Sequence, residues 1–178
     1  YLDQYIIGQD EAKILELCEA VKAEGVVVPA NINCPGQIVV SGAVAGVNKL
    51  VENCAAAGIK AIPLAVSGAF HSPLMQFAQA GLAEAIAKTK FNDVEKPVIA
   101  NVIAEPVTKG SEIADLLVRQ LVSPVRWNDC MNKAISLGVT QGVEVGSGKV
   151  LMGLMRKISR DVKVTPVETI EAFQALKG

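Results

Sequence analysis

Apolar residues in the first third of the chain recur at two spacings, one typical of helices and one typical of strands. Gly25 ends the first helical run, and Cys34-Pro35-Gly36 interrupts a β-branched run as a hairpin turn does. The predicted elements are a strand at 5–7, a helix at 9–22, a hairpin at 26–41, a helix at 44–57 and a strand at 59–66. The order β-α-β-β-α-β over residues 1–66 predicts a ferredoxin-like small subdomain, in which two helices cover one face of an antiparallel sheet.

Residues 67–178 alternate helix-like and strand-like runs more regularly. An Ala-rich amphipathic helix comes first, and Ser111 is placed to cap a later one. The predicted elements are a helix at 74–90, a strand at 97–102, helices at 111–121 and 129–137, a strand at 139–145, a helix at 149–160, a strand at 162–167 and a helix at 168–176. This alternation is typical of an α/β layer with a parallel sheet. The predicted fold class is therefore α/β, with an α+β small subdomain in front.

Composition narrows the classes of function. Hydrophobic residues make up 51% of the 178 residues, yet no run approaches the roughly 20 apolar residues of a membrane-spanning helix. Seventeen basic and eighteen acidic residues leave a net charge of -1, which argues against a general nucleic-acid or membrane-surface binder. We therefore expect a soluble protein with no nucleic acid and no membrane among its partners.

Four cysteines are scattered along the chain, and none belongs to the C-x-x-C pair of a zinc or redox centre. They are Cys18, Cys34, Cys54 and Cys130. Scattered thiols indicate a reducing cytoplasm and no bound metal. The chain opens on Tyr1 rather than Met and has no charged-then-apolar leader, so we expect a fragment of a longer cytoplasmic protein.

His71 is the only histidine and the best candidate for catalysis. It follows a predicted strand and precedes a predicted helix, where an imidazole could take a proton from a nucleophile and later return it. A histidine that is hydrogen-bonded in a turn fits the same position. A thiol nucleophile made of Cys34 and His71 is a further alternative, although nothing in the sequence places the two side chains together.

Two familiar site motifs are incomplete or absent. Gly146-Ser147-Gly148-Lys149 resembles a phosphate-binding loop, but Val143 and Val150 stand where a Walker loop needs Gly and Ser or Thr. A tight turn from a buried strand into a helix explains these glycines better. No Gly-x-Ser-x-Gly elbow occurs in the sequence, so a serine nucleophile would lack its usual strand-turn-helix corner.

Four spaced motifs resemble the malonyl-CoA:acyl carrier protein transacylases of bacterial fatty-acid synthesis. They are NINCPGQIVVSG at 31–42, VSGAFHSPLM at 66–75, LVRQLVSPVRW at 117–127 and VEVGSGKVL at 143–151. They cover almost the whole chain and follow the order of the family. The resemblance implies a ferredoxin-like subdomain at 1–66, followed at 67–178 by the C-terminal part of an α/β-hydrolase-like acyltransferase subdomain.

The resemblance implies roles for five residues. His71 would be the general acid and base of a Ser–His dyad that lacks a third carboxylate. The main-chain carbonyl of Gln120 would orient the imidazole and fix its tautomer. Phe70 matches the malonyl-selective form of its motif, in which a bulky ring crowds a methyl branch. Asn31 and Asn33 would contact substrate, or would only cap the hairpin turn.

The resemblance also implies what the chain lacks. In the family, the elbow serine, the arginine that pairs with the malonyl carboxylate and the glutamine loop of the oxyanion hole all lie upstream of the matching segment. We therefore expect malonyl-CoA, acyl carrier protein and a missing N-terminal segment as partners, no cofactor beyond the coenzyme A thioester, and an inactive fragment.

Two other functions remain open, a thioesterase-like acyl hydrolase and a non-catalytic module that binds carrier protein through basic residues. Those residues are Lys13, Lys22, Lys49, Lys60 and Arg119.

Overall fold

The computed structural model describes residues 1–65 and 68–176, and the chain divides into two compact units, Tyr1–Cys130 and Met131–Gly178. The first unit opens with a four-stranded sheet and two helices. Its elements are β1 (Leu2–Ile7), α1 (Glu11–Ala20), β2 (Val27–Cys34), β3 (Gln37–Gly42), α2 (Val44–Ala56) and β4 (Lys60–Leu64). The strand order is β2-β3-β1-β4, and each neighbouring pair is antiparallel. The predicted order of these six elements is therefore correct.

The predicted domain boundary falls just after β4. Val66 and Ser67, the residues on either side of it, lie outside the described residues. The predicted strand at 59–66 is found as β4, which ends at Leu64. The boundary itself stays a prediction.

The two helices cover one face of the sheet. Apolar side chains at alternate strand positions meet the inner faces of α1 and α2. The buried cluster comprises Ile6, Ile14, Leu17, Cys18, Val21, Val27, Ile32, Ile38, Val40, Val47, Leu50 and Cys54. The intervening strand positions, among them Asp3, Tyr5 and Asn31, point to the opposite face. The sheet therefore has one apolar face toward the helices and another face that carries polar groups.

A close approach between α2 and the chain before β2 gives a test of this packing. A Cβ added at Gly46 would lie 2.9 Å from the carbonyl oxygen of Gly25, whereas one added at Gly81 would meet nothing within 4 Å. We expect Gly46→Ala to lower the free energy of unfolding by about 1–3 kcal/mol, because backbone must move. Gly81→Ala, the matched control in another helix, is expected to raise it by about 0.5–1 kcal/mol. Urea unfolding measures both, and equal effects would contradict the packing described.

The rest of the first unit begins with a single 3-10 turn, Pro73–Met75. Its further elements are α3 (Gln76–Ala87), β5 (Val98–Ala100), β6 (Glu105–Val107), α4 (Gly110–Gln120) and α5 (Trp127–Ser136), the last of which runs on into the second unit. β5 pairs with β6 in an antiparallel hairpin. The sequence did not predict β6, because three residues are too few to show a strand period.

The start of α4 also differs from its prediction. Ser111 does not cap this helix, which begins one residue earlier. The N–H of Gly110 donates to Asp93 Oδ1 at 2.9 Å, and the Lys109 ammonium lies 2.7 Å from Asp93 Oδ2. The Lys109 hydrogen bond lowers the pKa of Asp93, and the Gly110 N–H adds to the effect. A carboxylate distant in sequence therefore caps the helix, which no local pattern predicts.

The second unit contains a parallel pair of strands joined through a helix. Its elements are β7 (Gln141–Val145), α6 (Val150–Ile158), β8 (Lys163–Val167) and α7 (Ile170–Ala175). The buried carboxylate of Glu144 accepts the N–H groups of Leu151 and Met152, each at 2.8 Å. These first-turn amides are the groups that a phosphate would need. Their use by Glu144 favours the structural explanation of the glycine turn at 146–149.

No helix among the described residues is long and apolar enough to cross a membrane.

Candidate active site

His71 occupies an unusual backbone conformation at the start of the segment that leads to α3. Its φ is 61°, in the left-handed region that side chains with a Cβ rarely adopt. Such residues cluster at functional sites, because the surrounding structure must hold them there. The neighbouring Ser72 provides part of that support: its buried Oγ donates to the Ala69 carbonyl at 2.7 Å and accepts the Leu74 N–H at 3.3 Å. Ser72 is therefore a turn-forming residue and a poor nucleophile.

The imidazole of His71 contacts the main chain of Gln120. The distance from His71 Nδ1 to the Gln120 carbonyl oxygen is 3.1 Å. Because a carbonyl only accepts, Nδ1 carries the hydrogen of this contact, and in a neutral imidazole the lone pair is then on Nε2. The structure thus brings together the two residues that the family resemblance paired.

The segment after α4 is fixed to the sheet. The side-chain amide of Gln120 donates to the carbonyls of residues 123–124, at 2.9 and 3.1 Å. Val125 then adds to the edge of β2, where its N–H donates to the Ala30 carbonyl and its carbonyl accepts the Ile32 N–H, each at 2.8 Å. The carbonyl that holds His71 is therefore tied to the sheet through two sets of hydrogen bonds. Sequence reasoning missed this link, because an isolated bridge leaves no periodic signal.

Three predicted site residues remain, Asn31, Asn33 and Phe70. Asn31 and Asn33 belong to β2 rather than to the turn, and both are half-buried while their neighbours Ile32 and Cys34 are buried against the helical side. Phe70 precedes His71 and is 46% exposed, with its ring 3.2 Å from where a Cβ of Gly68 would stand. Substrate binding by Phe70, Asn31 and Asn33 stays a prediction.

The thiols are poor candidates for a nucleophile. Burial raises the pKa of Cys18 to about 12 and raises the pKa values of Cys54 and Cys130 as well. Cys34 is buried at the end of β2 with Sγ 3.9 Å from Gln37 Oε1, while the hydrogen bond found at His71 goes to Gln120. Among the described residues, no three His, Cys, Asp or Glu side chains are grouped to hold a metal ion.

Sequence reasoning also missed two buried polar residues. Asp3 is 6% exposed and Ser41 is fully buried, and they face each other in the register of β1 and β3. Burial raises the pKa of Asp3, while the Ser41 hydroxyl and the charge of His71 act in the opposite direction. The available signal was a pair of polar residues inside otherwise apolar strand runs.

Within the described residues, a mixed α/β fold holds His71, the only histidine of the sequence, against a main-chain carbonyl. The chain belongs to the acyl transferase family, whose acyl transferase domain matches residues 6–172. It is similar to the malonyl CoA-acyl carrier protein transacylase of Bacillus subtilis (strain 168), with 45% identity over 178 residues. That match covers 97% of this chain and 56% of the relative.

Solved structures give the same family and a similar fold. The acyl-carrier-protein-S-malonyltransferase from Bartonella henselae superimposes with a TM-score of 0.94 at 39% identity, over 98% of this chain and 56% of that one. The malonyl CoA-acyl carrier protein transacylase from Clostridium perfringens gives 0.93 at 31% identity, over 99% and 56%. The chain therefore spans little more than half the length of these relatives.

Proposed function

We propose that this chain is the C-terminal part of an acyl-carrier-protein S-malonyltransferase, a cytoplasmic enzyme of fatty-acid synthesis. It would move a malonyl group from malonyl-CoA to the phosphopantetheine thiol of acyl carrier protein, with no other cofactor. The observation that carries the proposal is the contact of His71 Nδ1 with the Gln120 carbonyl, at 3.1 Å. This contact joins the motif at 66–75 to the motif at 117–127. The chain that carries both motifs is 45% identical to a relative named malonyl CoA-acyl carrier protein transacylase.

His71 supplies the acid–base chemistry of the proposed reaction. Its free Nε2 takes the hydroxyl proton of a serine, whose oxygen bonds to the malonyl carbonyl carbon while the carbon–sulfur bond breaks. The imidazolium then gives the proton to the departing thiolate of coenzyme A. The carrier thiol reverses these steps and leaves with the malonyl group. The family resemblance places the serine upstream of the segment that this chain matches, so the chain alone is proposed to be inactive.

The proposed architecture is the one that the family resemblance implies. The sheet order β2-β3-β1-β4 with both helices on one face supports a ferredoxin-like subdomain at 1–66. Residues 67–178 are then the C-terminal part of an α/β-hydrolase-like subdomain. Phe77, Val98 and Leu117 expose 75%, 49% and 45% of their surface, which is consistent with apolar faces that the rest of such a subdomain covers.

Phe70 is proposed to select malonyl over branched acyl groups. We expect Phe70→Ser, in the complete polypeptide, to raise kcat/KM for methylmalonyl-CoA relative to malonyl-CoA by about 10–200-fold, because the ring no longer crowds the extra methyl group. Phe173→Ser makes the same change on α7 in the second unit and is the control, which should leave the ratio unchanged. Competition between the two thioesters measures the ratio, and an unaltered value for the Phe70 variant would exclude the assignment.

The basic residues named for a non-catalytic carrier-binding module give that function little support. Lys13, Lys22 and Lys49 each lie within 3.0 Å of a glutamate three residues away on or beside the same helix, and Arg119 lies 3.7 Å from Asp115. Such exposed pairs are ordinary surface features. The paired acidic side chains offset the positive charge that these four residues could offer an acidic partner.

One assay separates the proposed transferase from the thioesterase-like hydrolase. The complete polypeptide is incubated with malonyl-CoA, with and without the phosphopantetheine-bearing carrier protein. Malonyl-carrier formation that greatly exceeds free malonate supports the transferase. Release of malonate independent of the carrier supports the hydrolase. Carrier binding with neither product would favour the non-catalytic module.

A further inference from the structure

The end of α4 tightens at the residue whose carbonyl contacts the histidine. In a continued α-helix the N–H of Val122 would donate to the Val118 carbonyl. Here it donates to the Arg119 carbonyl at 3.3 Å, and the N–H of Ser123 donates to the Gln120 carbonyl at 3.2 Å. Both are the three-residue hydrogen bonds of a 3-10 turn. The tightening therefore deprives the Val118 carbonyl of the backbone donor that a continued helix would supply.

The side chain of Gln79 takes the place of that donor. Gln79 lies on α3 and is half-buried, and its Nε2 donates to the Val118 carbonyl oxygen at 3.2 Å. Because a carbonyl only accepts, the amide nitrogen rather than the amide oxygen faces it. A carbonyl at a helix end needs such a partner when its backbone donor is used elsewhere. Gln79 therefore stabilises the tightened form of the turn over the continued helix.

The turn is held at two points by one short segment of the chain. His71 Nδ1 lies 3.1 Å from the Gln120 carbonyl oxygen, and eight residues later Gln79 binds the carbonyl of Val118. The Gln120 oxygen has two lone pairs, and it contacts both the N–H of Ser123 and the imidazole. The direction of this carbonyl, and with it the orientation of the ring, therefore depends on the tightened turn.

We propose that Gln79 is a positioning residue for His71, which acts by holding the end of α4 in its tightened form. Without the amide donor, the Val118 carbonyl regains a partner when Val122 returns to the α-helical hydrogen bond. That return redirects the Gln120 carbonyl and loosens its hold on the imidazole. Gln79 works through the backbone and carries no proton in the reaction. What the oriented imidazole does rests on the proposed function, whereas the hydrogen bonds that orient it do not.

The orientation of the ring can be measured on the complete polypeptide. Two-bond 1H–15N correlation spectra, recorded where the imidazole is neutral, show which ring nitrogen carries the hydrogen, and His71→Gln identifies the signals. The parent is expected to carry it on Nδ1. Gln79→Met keeps the length of the side chain but removes the donor, so the two tautomers are expected to mix. Gln76→Met makes the same change at an exposed position of α3 and should keep the parental spectrum. A parental tautomer in Gln79→Met would overturn the inference.

The consequence for transfer is a change in kcat. For Gln79→Met, kcat for malonyl transfer is expected to fall about tenfold with KM for malonyl-CoA unchanged, because a misdirected base weakens the transition state and not substrate binding. Gln79→Lys restores an N–H donor at the negative end of the helix, so it should recover most of the loss. Gln76→Met should transfer at the parental rate. Equal kcat values for Gln79→Met and Gln76→Met would overturn the inference.

Two further readings keep the outcome free of other causes. Loss of one half-buried hydrogen bond should leave Gln79→Met folded, with a melting temperature close to that of the parent. Slower transfer by this folded variant, together with mixed tautomers, supports the inference. Absence of transfer by the parent would overturn the proposed function, while the comparison of tautomers in Gln79→Met and Gln76→Met would still decide the role of Gln79.

Discussion

Replacing His71 by alanine in the complete polypeptide is expected to lower malonyl transfer by about 10²–10⁴-fold, the usual contribution of a general acid–base group. In the proposed mechanism the imidazole takes the serine proton and returns it to the thiolate, and the alanine side chain can do neither. The effect should fall on kcat rather than on KM, because the proton moves only in the transition state. Transfer of labelled malonyl groups to the carrier protein measures it.

A second variant, His71→Gln, separates loss of proton transfer from loss of the hydrogen bond to Gln120. Glutamine retains an N–H that can donate to the Gln120 carbonyl, but it cannot carry a proton between two partners. We therefore expect it to be as slow as the alanine variant while the melting temperature stays close to that of the parent. Transfer near the parental rate in either variant would show that His71 is only a hydrogen-bonded turn residue.

Glu144→Ala is expected to give the largest loss of stability among the substitutions considered. The buried carboxylate accepts the first-turn N–H groups of Leu151 and Met152, so alanine leaves two amides without partners at the positive end of α6. We expect the free energy of unfolding to fall by about 3 kcal/mol, in the range of hydrogen bonds to charged groups. Urea unfolding followed by circular dichroism provides the measurement.

Two further variants serve as controls for the stability loss expected in Glu144→Ala. Glu168→Ala removes an exposed carboxylate from the same unit and should change stability by less than about 0.5 kcal/mol. Glu144→Gln keeps one acceptor oxygen and loses the charge, so it should fall between the parent and Glu144→Ala. Equal stabilities for Glu144→Ala and Glu168→Ala would mean that the carboxylate does not hold the helix start.

The local elements of the fold were largely predictable from the sequence. The spacing of apolar residues predicts the helices α1 and α2, and the turn at Pro35-Gly36 predicts the hairpin of β2 and β3. These signals are readable because the residues that determine each element are neighbours in the chain. Prediction failed where the determinant is distant. Asp93 caps a helix that begins 17 residues later, and β6 is defined only by its pairing with β5.

The contact between His71 and Gln120 was predictable from the family resemblance, but the interactions that support it were not. His71 and Gln120 were paired through the resemblance of two motifs, and their contact at 3.1 Å joins segments 49 residues apart. The attachment of Val125 to β2 and the burial of Asp3 beside Ser41 depend on strand register and on long-range packing. A single sequence carries neither kind of information in a local pattern.

The central claim is that this chain provides the histidine half of a malonyl-transfer site whose nucleophile lies in the rest of the protein. Intact-mass spectrometry after brief incubation with malonyl-CoA tests it most directly. We predict one malonyl adduct on the complete polypeptide, formed much more slowly in His71→Ala, and none on the 178-residue chain alone. An adduct on the isolated chain, or equally rapid labelling of the His71→Ala polypeptide, would contradict the claim.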